Sequence, residues 1–398
     1  MSKVLITGNG FDLFHHLPTK YHHFISIMIT IEEVEYDTDV SFEKLFGRVF
    51  KKRHQLEYNL IEENYITDNI KFNLQKINKI KQYLQTNLWY KHFKNVSKLE
   101  TWIDFEMEIE TILNLLTMFD SLKSKKAVEK NMFENPLIIY SAFESFGIVK
   151  LDSNLGGFIM NDEFINKRNR SIDIKKILED LAKSFEGFVV IFNRYLVDIV
   201  SVFYTEIKEK SVIPFQLMDE IYTFNYTPTL ETFYSVEKSK VVYLHGKINE
   251  KDYIQNLILG VSEISNCIQI NKIYNFKKNF QKIKKAANNK FIHLPKNEAI
   301  TESQFFYLIG HSLDKSDKNY ILDLFEYLKT DNTHLSEIII FYYNKKDYEN
   351  KLNNLFSIVE EQILVNLHKD KRLKFVELKS ENILSEFEKP ICDRYAQM

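Results

Sequence analysis

The chain opens with MSKVLITGNGFDLFHHLPTKYHHF (residues 1–24), in which a short apolar run ends abruptly at a pair of glycines. Val4–Ile6 predicts a buried strand, and Gly8-Asn9-Gly10 follows it almost at once. In α/β folds, glycines after a strand let the backbone turn close to a phosphate, and the next helix presents free N–H groups to it. The stretch therefore predicts a nucleotide-binding turn, although a G-x-G turn without a third glycine also arises for steric reasons alone.

Length and composition indicate a large folded protein. The 398 residues are enough for two or three domain-sized units. A hydrophobic content of 44%, with 14% aromatic residues, can fill a large core and argues against disorder. The net charge of -2 gives no sign of a nucleic-acid or anionic-membrane partner, and we expect neither. Two cysteines, Cys267 and Cys392, exclude a disulfide framework or a cysteine-rich zinc site.

The apolar segments indicate a cytoplasmic protein. The first apolar run breaks at glycine too early for a signal peptide. No uncharged apolar stretch reaches the roughly 18 residues that span a bilayer. The most apolar region, Phe185–Tyr204, contains Glu186, Arg194 and Asp198, and it predicts a packed helix.

Residues 41–212 have the spacing of a helical block. Apolar residues recur at helical intervals, most clearly from Ile177 to Phe203. Residues 153–169, which include Gly156-Gly157, predict a loop. We interpret residues 41–212 as a helical insertion that serves as a lid, a sensor or an oligomer surface.

Beyond residue 213, short apolar runs alternate with helical segments. The predicted strands are Glu220–Phe224, Lys240–Leu244, Leu257–Leu259, Phe305–Ile309, Glu337–Tyr343 and Leu373–Leu378. The predicted helices are Thr229–Glu237, Asn271–Asn288, Lys318–Lys329 and Lys346–Leu367. This alternation predicts a Rossmann-like α/β fold, with a mostly parallel sheet and helices on both faces. Residues 1–40 and 213–398 would form this domain, and residues 41–212 would interrupt it.

Four polar or glycine motifs each follow a predicted strand. They are Gly8–Asp12, Thr223–Thr227, Leu244–Gly246 and Gly310–Leu313. In doubly wound sheets, ligands bind outside the carboxyl ends of the strands. We therefore expect these four motifs to converge on one crevice.

His245 and Asn225 are the catalytic candidates. Imidazole titrates near neutral pH, so His245 could take a proton from a sugar hydroxyl or an attacking water, and Gly246 would leave space above the strand end. The alternative is a half-buried histidine that hydrogen-bonds the backbone. The Asn225 amide could orient a ribose or a water, or it could cap the turn before Pro228.

Acidic and hydroxyl side chains near these turns allow two interpretations. Asp12 could bind ribose hydroxyls, or it could complement the start of a helix. Ser312 and His311 could contact a phosphate. Asp314 and Asp317 would repel that phosphate unless they face away, and they could instead begin the following helix.

Two further patterns favour structural explanations. The pairs His15-His16 and His22-His23 resemble a metal cluster, but no cysteine or close carboxylate completes it, so we expect solvated histidines. The segment Lys272–Lys290 carries seven lysines and no acidic residue. It could lie on nucleic acid, but a solvated lysine face fits the near-neutral chain better. Thr19 is predicted to cap the next helix.

The motifs together resemble those of the bacteriophage abortive-infection AbiH family. They are G-N-G-F-D-L with L-P-T-x-Y (Leu17–Tyr21), Trp102-x-x-x-Glu106, Phe224–Thr227 with Leu230-Glu231, Tyr243–Gly246, and Gly310–Leu313 with Asp317. They span residues 8–317 in the expected order. His16 stands where the family usually has glycine. The resemblance implies a role in phage defence, with a trigger that the sequence does not identify.

The same motifs resemble a distant sirtuin NAD-binding fold. Gly8–Asp12 and Pro18 match its phosphate turn, Asn225 matches the asparagine of Q-N-x-D, and Thr227 replaces its aspartate. His245-Gly246 matches the catalytic pair and Gly310–Ser312 matches G-x-S, whereas the zinc module has no counterpart. The resemblance implies hydrolysis of NAD, catalysed by His245 and Asn225 without a metal. It also implies NAD contacts from eight residues: Gly8, Asn9, Gly10, Asp12, Thr19, Gly246, Gly310 and Ser312.

Two rival functions belong to other classes. A metal-dependent nuclease could use Asp12, Glu106 and His245, although its carboxylates are scattered in sequence. A non-catalytic nucleotide sensor could signal by forming homo-oligomers.

Overall fold

The structure, a computed structural model, describes ten ranges of the chain. They are residues 2–99, 104–122, 139–152, 157–209, 212–252, 256–262, 271–285, 291–292, 303–331 and 335–389. Trp102 of the Trp102-x-x-x-Glu106 motif and the end of the lysine-rich segment lie outside these residues.

The central element is a six-stranded parallel sheet. Over the described residues the strands are β1 (Ser2–Thr7), β2 (Val40–Ser41), β3 (Lys71–Phe72), β4 (Val149–Asp152), β5 (Gly157–Met160), β6 (Glu220–Thr223), β7 (Val241–Tyr243), β8 (Gln304–Ile309), β9 (Glu337–Tyr342) and β10 (Leu373–Glu377). The sheet order is β10-β9-β8-β1-β6-β7, while β2–β3 and β4–β5 form separate antiparallel pairs. Numbered by chain order within the sheet, this is the doubly wound order 3-2-1-4-5-6, whose switch point lies between β1 and β8.

Helices cover both faces of the sheet. They are α1 (Asn9–Phe14), α2 (Tyr21–Glu33), α3 (Phe42–Phe46), α4 (Val49–Arg53), α5 (Gln55–Asn64), α6 (Leu74–Thr86), α7 (Leu88–Leu99), α8 (Phe105–Leu122), α9 (Ile139–Ser145), α10 (Ile174–Asp198), α11 (Thr229–Tyr234), α12 (Lys278–Lys284), α13 (Lys318–Thr330), α14 (Lys345–Ile358), α15 (Glu361–Lys369) and α16 (Ser380–Glu388). Short 3-10 helices occupy Thr67–Asn69, Asp162–Phe164, Val200–Thr205, Phe215–Leu217, Lys238–Lys240, Asn271–Phe276 and Lys315–Asp317. The predicted α/β class with a helical insertion is confirmed.

The predicted strands form the sheet, with one exception. Leu257–Leu259 is fully buried but forms no strand. Its backbone instead crosses the end of β7, where the Ile258 N–H donates to the His245 carbonyl at 2.8 Å. A three-residue apolar run is equally typical of a buried connection, so this strand prediction was wrong.

Four other local predictions also needed correction. The predicted helix Asn271–Asn288 is, over its described residues, a 3-10 helix (Asn271–Phe276) followed by the separate helix α12. The predicted loop 153–169 contains strand β5 and the 3-10 helix Asp162–Phe164. The predicted helix Lys346–Leu367 is two helices, α14 and α15, which are separated at residues 359–360. Thr19 does not cap α2, because the helix begins at Tyr21 and its N-cap residue is Lys20.

The two faces of the sheet pack into two hydrophobic clusters. Leu5, Ile221 and Tyr307 belong to a cluster that also contains Phe24 of α2 and Phe188 of α10. Alternate strand residues such as Val4, Phe306 and Ile340 pack with α13, α14 and α15 on the other face. This period of two is the pattern of a sheet that is covered on both sides. The insertion thus shares a core with one sheet face, while its status as a separate domain remains a prediction.

The most apolar helical segment is a core element. Among the described residues, Ile174–Thr205 is the segment long and apolar enough to cross a membrane by length and composition, and 67% of its most apolar window is buried inside the protein. Such burial is typical of the core helix of a soluble protein.

Glycines at the switch point allow two backbones to touch. The Gly10 N–H donates to the Gly310 carbonyl at 2.8 Å, and the Gly8 N–H donates to the Ile309 carbonyl at 3.1 Å. Gly310 has φ +70°, and a Cβ there would lie 2.0 Å from the Phe11 nitrogen. A Cβ on Gly10 would lie 2.7 Å from the Gly310 Cα. These glycines are therefore required by backbone packing between the ends of β1 and β8.

We expect Gly310→Ala to destabilise the protein far more than Gly147→Ala. Both glycines have φ close to +70°, but a Cβ on Gly147 would meet no atom of the described residues within 4 Å. Gly147→Ala should cost about 1 kcal/mol for the left-handed backbone alone. Gly310→Ala adds a backbone clash and should cost on the order of 3 kcal/mol or more. Urea unfolding of both variants measures the difference, and equal losses would contradict the packing argument.

His15 fixes helix α1 against the protein interior. Its Nδ1–H donates to the Phe11 carbonyl at 2.7 Å, and its Nε2 accepts from the Tyr234 hydroxyl at 2.6 Å. The Tyr65 hydroxyl donates to the His15 carbonyl at 2.5 Å. Burial lowers the pKa of His15 to about 4, so the imidazole is neutral at pH 7. His15 was expected to be solvated, and that expectation was wrong.

We expect His15 to contribute to acid destabilisation. Its folded pKa, about 4, is below the ordinary 6.5, so the unfolded chain binds more protons between these values. The stability from this group is present above pH 6.5 and falls by about 2 kcal/mol between pH 7 and pH 5. His15→Gln should lower the dependence of the unfolding free energy on pH in this window. His368→Gln, at an exposed position, is the control and should leave that dependence unchanged.

Candidate functional site

The carboxyl ends of β6, β7 and β8 meet around one aromatic ring. Phe224 follows β6, and its ring centroid lies 5.2 Å from that of His245 and 4.3 Å from that of His311. His245 follows β7 and His311 follows β8, and both are buried. The structure thus brings these predicted motifs to one edge of the sheet.

A single carboxylate joins the two histidines. Asp317 Oδ1 lies 3.2 Å from His245 Nε2, and Oδ2 lies 3.4 Å from His311 Nε2. The Leu313 N–H donates to His311 Nδ1 at 2.9 Å, so Nδ1 is an acceptor and the ring proton is on Nε2, facing the carboxylate. Asp314, by contrast, is exposed and accepts from the Ser316 N–H at the start of a 3-10 helix. Both aspartates stand at a helix start, as predicted: Asp314 caps the 3-10 helix with its side chain, and Asp317 is the N-cap residue of α13 but accepts no hydrogen bond from that helix.

A buried lysine links this carboxylate to a second one. Lys278 Nζ lies 2.8 Å from Glu106 Oε1 and 3.5 Å from Asp317 Oδ1. Lys278 opens α12, and Glu106 lies in the first turn of α8. Lys278 is 3% exposed, which is rare for lysine unless it is paired. Helices from two distant segments of the chain therefore complete a buried cluster, which consists of His245, His311, Asp317, Lys278 and Glu106.

Burial and charge together set the protonation of the cluster. Burial opposes the ionisation of Asp317, but the nearby Lys278 ammonium holds the pKa of Asp317 well below its usual range. Burial, which exceeds the attraction of Lys278, raises the pKa of Glu106 to about 7. Burial and then Lys278 lower the pKa of His245 to about 4, so this imidazole is neutral at pH 7.

A neutral His245 beside an ionised Asp317 can act as a base. The geometry places Nε2 toward the carboxylate, and a proton on Nε2 leaves the lone pair on Nδ1. His245 Nε2 and Asp317 Oδ1 form no aligned hydrogen bond, a looseness that is common before substrate binds. The arrangement can therefore accept one proton from a substrate or a water.

Asp12 joins α1 to the turn after β6. Its Oδ2 accepts from the Thr227 hydroxyl at 2.5 Å and its Oδ1 from the Thr229 hydroxyl at 2.6 Å. Burial raises the pKa of Asp12 to about 6, against the hydrogen bonds from these threonines and from Asn225. Asn225 Oδ1 is buried and has no hydrogen-bond partner among the residues that the structure describes, so this oxygen is available for a donor on a ligand.

The predicted phosphate contacts are spread between buried and exposed positions. The N–H groups of Gly8 and Gly10 already donate to the Ile309 and Gly310 carbonyls. Asn9 and Ser312 are exposed at the same edge of the sheet. Thr19 is buried, and its hydroxyl has no hydrogen-bond partner within the described ranges of the chain.

Gly246 does not leave the predicted space above β7. Its φ is +81°, and a Cβ there would lie 1.9 Å from the Asn256 carbonyl oxygen. The glycine instead permits the close crossing of a following backbone segment.

Sequence reasoning missed Lys278 and Asp317 as site residues and cited Glu106 only for a rival function. The lysine-rich segment was predicted to be solvated, but Lys278 is buried and Lys285 donates to the Leu257 carbonyl. Lys282 pairs with the Tyr320 hydroxyl. The available signal was the position of Asp317 shortly after the β8 motif and the absence of acidic residues near Lys278.

The second histidine pair is also largely buried. His23 is 1% exposed and His54 is 8% exposed, with half-buried His22 beside them. Glu57 Oε1 lies 3.8 Å from His23 Nε2, so a carboxylate is close. The expectation of solvated histidines without a nearby carboxylate was therefore wrong here. His16 has φ +58°, the left-handed conformation that glycine adopts most readily.

We expect Lys278→Met to cost about 3–5 kcal/mol, because it leaves two buried carboxylates without their cation. Lys278→Met combined with Glu106→Gln should recover part of this loss. The control is Lys284→Met on the same helix, where the pair with Glu186 is exposed and should contribute under about 1 kcal/mol. Urea unfolding measures all three variants, and a Lys278→Met loss no larger than the control would contradict a buried ion pair.

The fold and the site define a class: a doubly wound α/β protein with a buried acid–base cluster at the carboxyl edge of its sheet. The family model described as "Bacteriophage abortive infection AbiH" matches residues 4–343, well over half of the chain. The chain belongs to this family, which supports a role in phage abortive infection. No curated protein and no solved structure matches the chain. The resemblance to sirtuins therefore remains a prediction.

Proposed function

We propose that the protein acts in phage defence by hydrolysing NAD⁺ at the nicotinamide glycosidic bond. The observation that carries this proposal is the neutral His245, held 3.2 Å from the ionised Asp317 beside the switch-point strands. A general base that is neutral at physiological pH and oriented by a buried carboxylate is what hydrolysis by water needs.

The topology supports a nucleotide as the substrate. The strand order 3-2-1-4-5-6 is that of dinucleotide-binding sheets, and their ligands lie outside the carboxyl ends at the switch point. Exposed Asn9 and Ser312 follow the two strands that flank this point. We therefore assign these two side chains to the pyrophosphate. The N–H groups of Gly8 and Gly10 would join them once they release the Ile309 and Gly310 carbonyls.

The proposed reaction breaks one bond and forms one. Water attacks C1′ of the nicotinamide ribose through an oxocarbenium-like transition state. The electron pair of the C1′–N bond returns to the positively charged ring, so nicotinamide leaves neutral. The proton of the attacking water passes to His245 Nδ1. Asn225 Oδ1 would accept from the water or from a ribose hydroxyl. Asp12, whose oxygens already accept the Thr227 and Thr229 hydroxyls, would hold in place the turn that carries Asn225.

The charges favour this chemistry over the nuclease alternative. Between Glu106 and Asp317 the cation is the Lys278 ammonium, which takes the position that a divalent ion would need. Both Asp12 oxygens already accept threonine hydroxyls. These carboxylates therefore do not form an open set of metal ligands.

We expect the wild-type protein to release free nicotinamide from NAD⁺, and His245→Gln to lower kcat by about 100-fold or more. Asp317→Asn should also lower kcat, because it removes the carboxylate that orients His245. The assay uses purified protein and, because the trigger is unknown, extracts of phage-infected cells.

The matched control is His92→Gln, since His92 is another buried histidine beside a carboxylate, 3.1 Å from Glu108, but follows no sheet strand. It should leave the rate unchanged. Equal NAD⁺ loss with wild type and His245→Gln would contradict the proposal. Magnesium-dependent cleavage of DNA or RNA would favour the nuclease instead.

A further inference from the structure

A second polar cluster lies away from the strand ends, at the start of α2. His22 and His23 are in the first turn of α2, and His54 lies between α4 and α5. One ring nitrogen from each histidine lies within 4.8 Å of those from the other two. Glu57, in the first turn of α5, has its Oε1 3.8 Å from His23 Nε2. Three imidazoles thus lie close together, and one carboxylate lies beside His23.

The buried ring of His23 lacks hydrogen bonds to the described residues. Both ring nitrogens are buried, neither has a hydrogen-bond partner in the described part of the chain, and the Glu57 carboxylate at 3.8 Å from Nε2 is beyond hydrogen-bond distance. Two other buried histidines do have hydrogen-bond partners: His15 bonds at both ring nitrogens, and His92 Nε2 lies 3.1 Å from Glu108 Oε2. Because a buried polar group without a partner costs free energy, His23 is expected to bind something that the protein chain does not supply.

We propose that His22, His23 and His54, with Glu57 as the fourth ligand, bind a zinc-class divalent ion. Three imidazole nitrogens and one carboxylate oxygen form a ligand set that Zn²⁺ prefers in tetrahedral geometry. Coordination at about 2.1 Å draws the nitrogens closer together than they lie in the structure, a change that side-chain rotation can supply. This site is independent of the proposed NAD⁺ hydrolysis.

Neighbouring groups fit this assignment. The Ser26 hydroxyl lies 3.0 Å from His54 Nε2 and can orient that ring, as groups outside a metal's ligand set commonly do. The Lys20 ammonium donates to Glu57 Oε1 at 2.9 Å and opposes a dication there. The Lys20 side chain is 33% exposed, so it can turn to solvent when the ion binds.

Metal binding would tie α2 to the helices α4 and α5. Tyr21, the residue before His22, stacks on Phe105 at a centroid distance of 4.2 Å. Phe105 is the residue before Glu106 of the buried cluster. The ion would therefore fix the start of the helix that carries Tyr21, which is a structural role rather than a catalytic one.

The test uses the full-length chain without a histidine tag, stripped with a chelator and titrated with Zn²⁺ and Co²⁺. We expect one ion per chain, a rise in Tm of several degrees at saturating Zn²⁺, and a Co²⁺ absorption spectrum of tetrahedral type. His23→Gln and His54→Gln should each weaken binding by about 100-fold or more. His368→Gln, at an exposed position, is the control and should bind like the wild type.

If His23→Gln or His54→Gln fails to fold, His22→Gln takes its place, because His22 is only half-buried. His22→Gln should also weaken Zn²⁺ binding. The proposal is overturned if the folded wild type binds no ion, or if the histidine variants bind as tightly as the control. A loss of NAD⁺ hydrolysis with metal binding intact would affect only the proposed function, so the two failures are distinguishable.

Discussion

The contact between two backbones at the switch point determines which side chains can lie at the carboxyl edge of the sheet. Because Gly10 donates to the Gly310 carbonyl, the turn after β1 lies directly on the turn after β8. The chain continues from Gly10 into α1, which places Asp12 beside Thr227 and Thr229. From Gly310 the chain continues through His311 to Asp317. The glycines therefore act first through packing, and any ligand role they have is built on that contact.

The sheet could be predicted from sequence because its strands obey simple physical constraints. Strands covered on both faces must be apolar along almost their whole length, as β8 and β9 are after their first residues, and parallel strands need long connections between them. Where the same apolarity arises without pairing, as in Leu257–Leu259, the sequence cannot separate a strand from a buried crossing segment. The left-handed backbone at His16 is likewise set by the turn around it and not by the residue type.

The candidate site was also predictable only in part. His245 and Asn225 could be found because they directly follow strands, and the topology of the sheet brings strand ends together. Glu106 and Lys278 come from helices whose sequence does not show which side faces inward. Lys278 lies among six other lysines of its segment, and only tertiary packing makes it buried. The same limit applies to His23 and His54, because the sequence does not show that the start of α2 packs against the junction between α4 and α5.

The register of β1 has a consequence for synthesis in the cell. Thr7 pairs with Thr223, 216 residues later, and with Ile309 on its other side. At roughly 5–20 residues per second, β1 leaves the ribosome some 10 to 40 seconds before its first partner exists. Until then the buried cluster cannot assemble, because Lys278 and Asp317 have not been made. A chain that ends before Lys278 therefore carries the opening strand of the sheet without the buried cluster at the sheet's carboxyl edge.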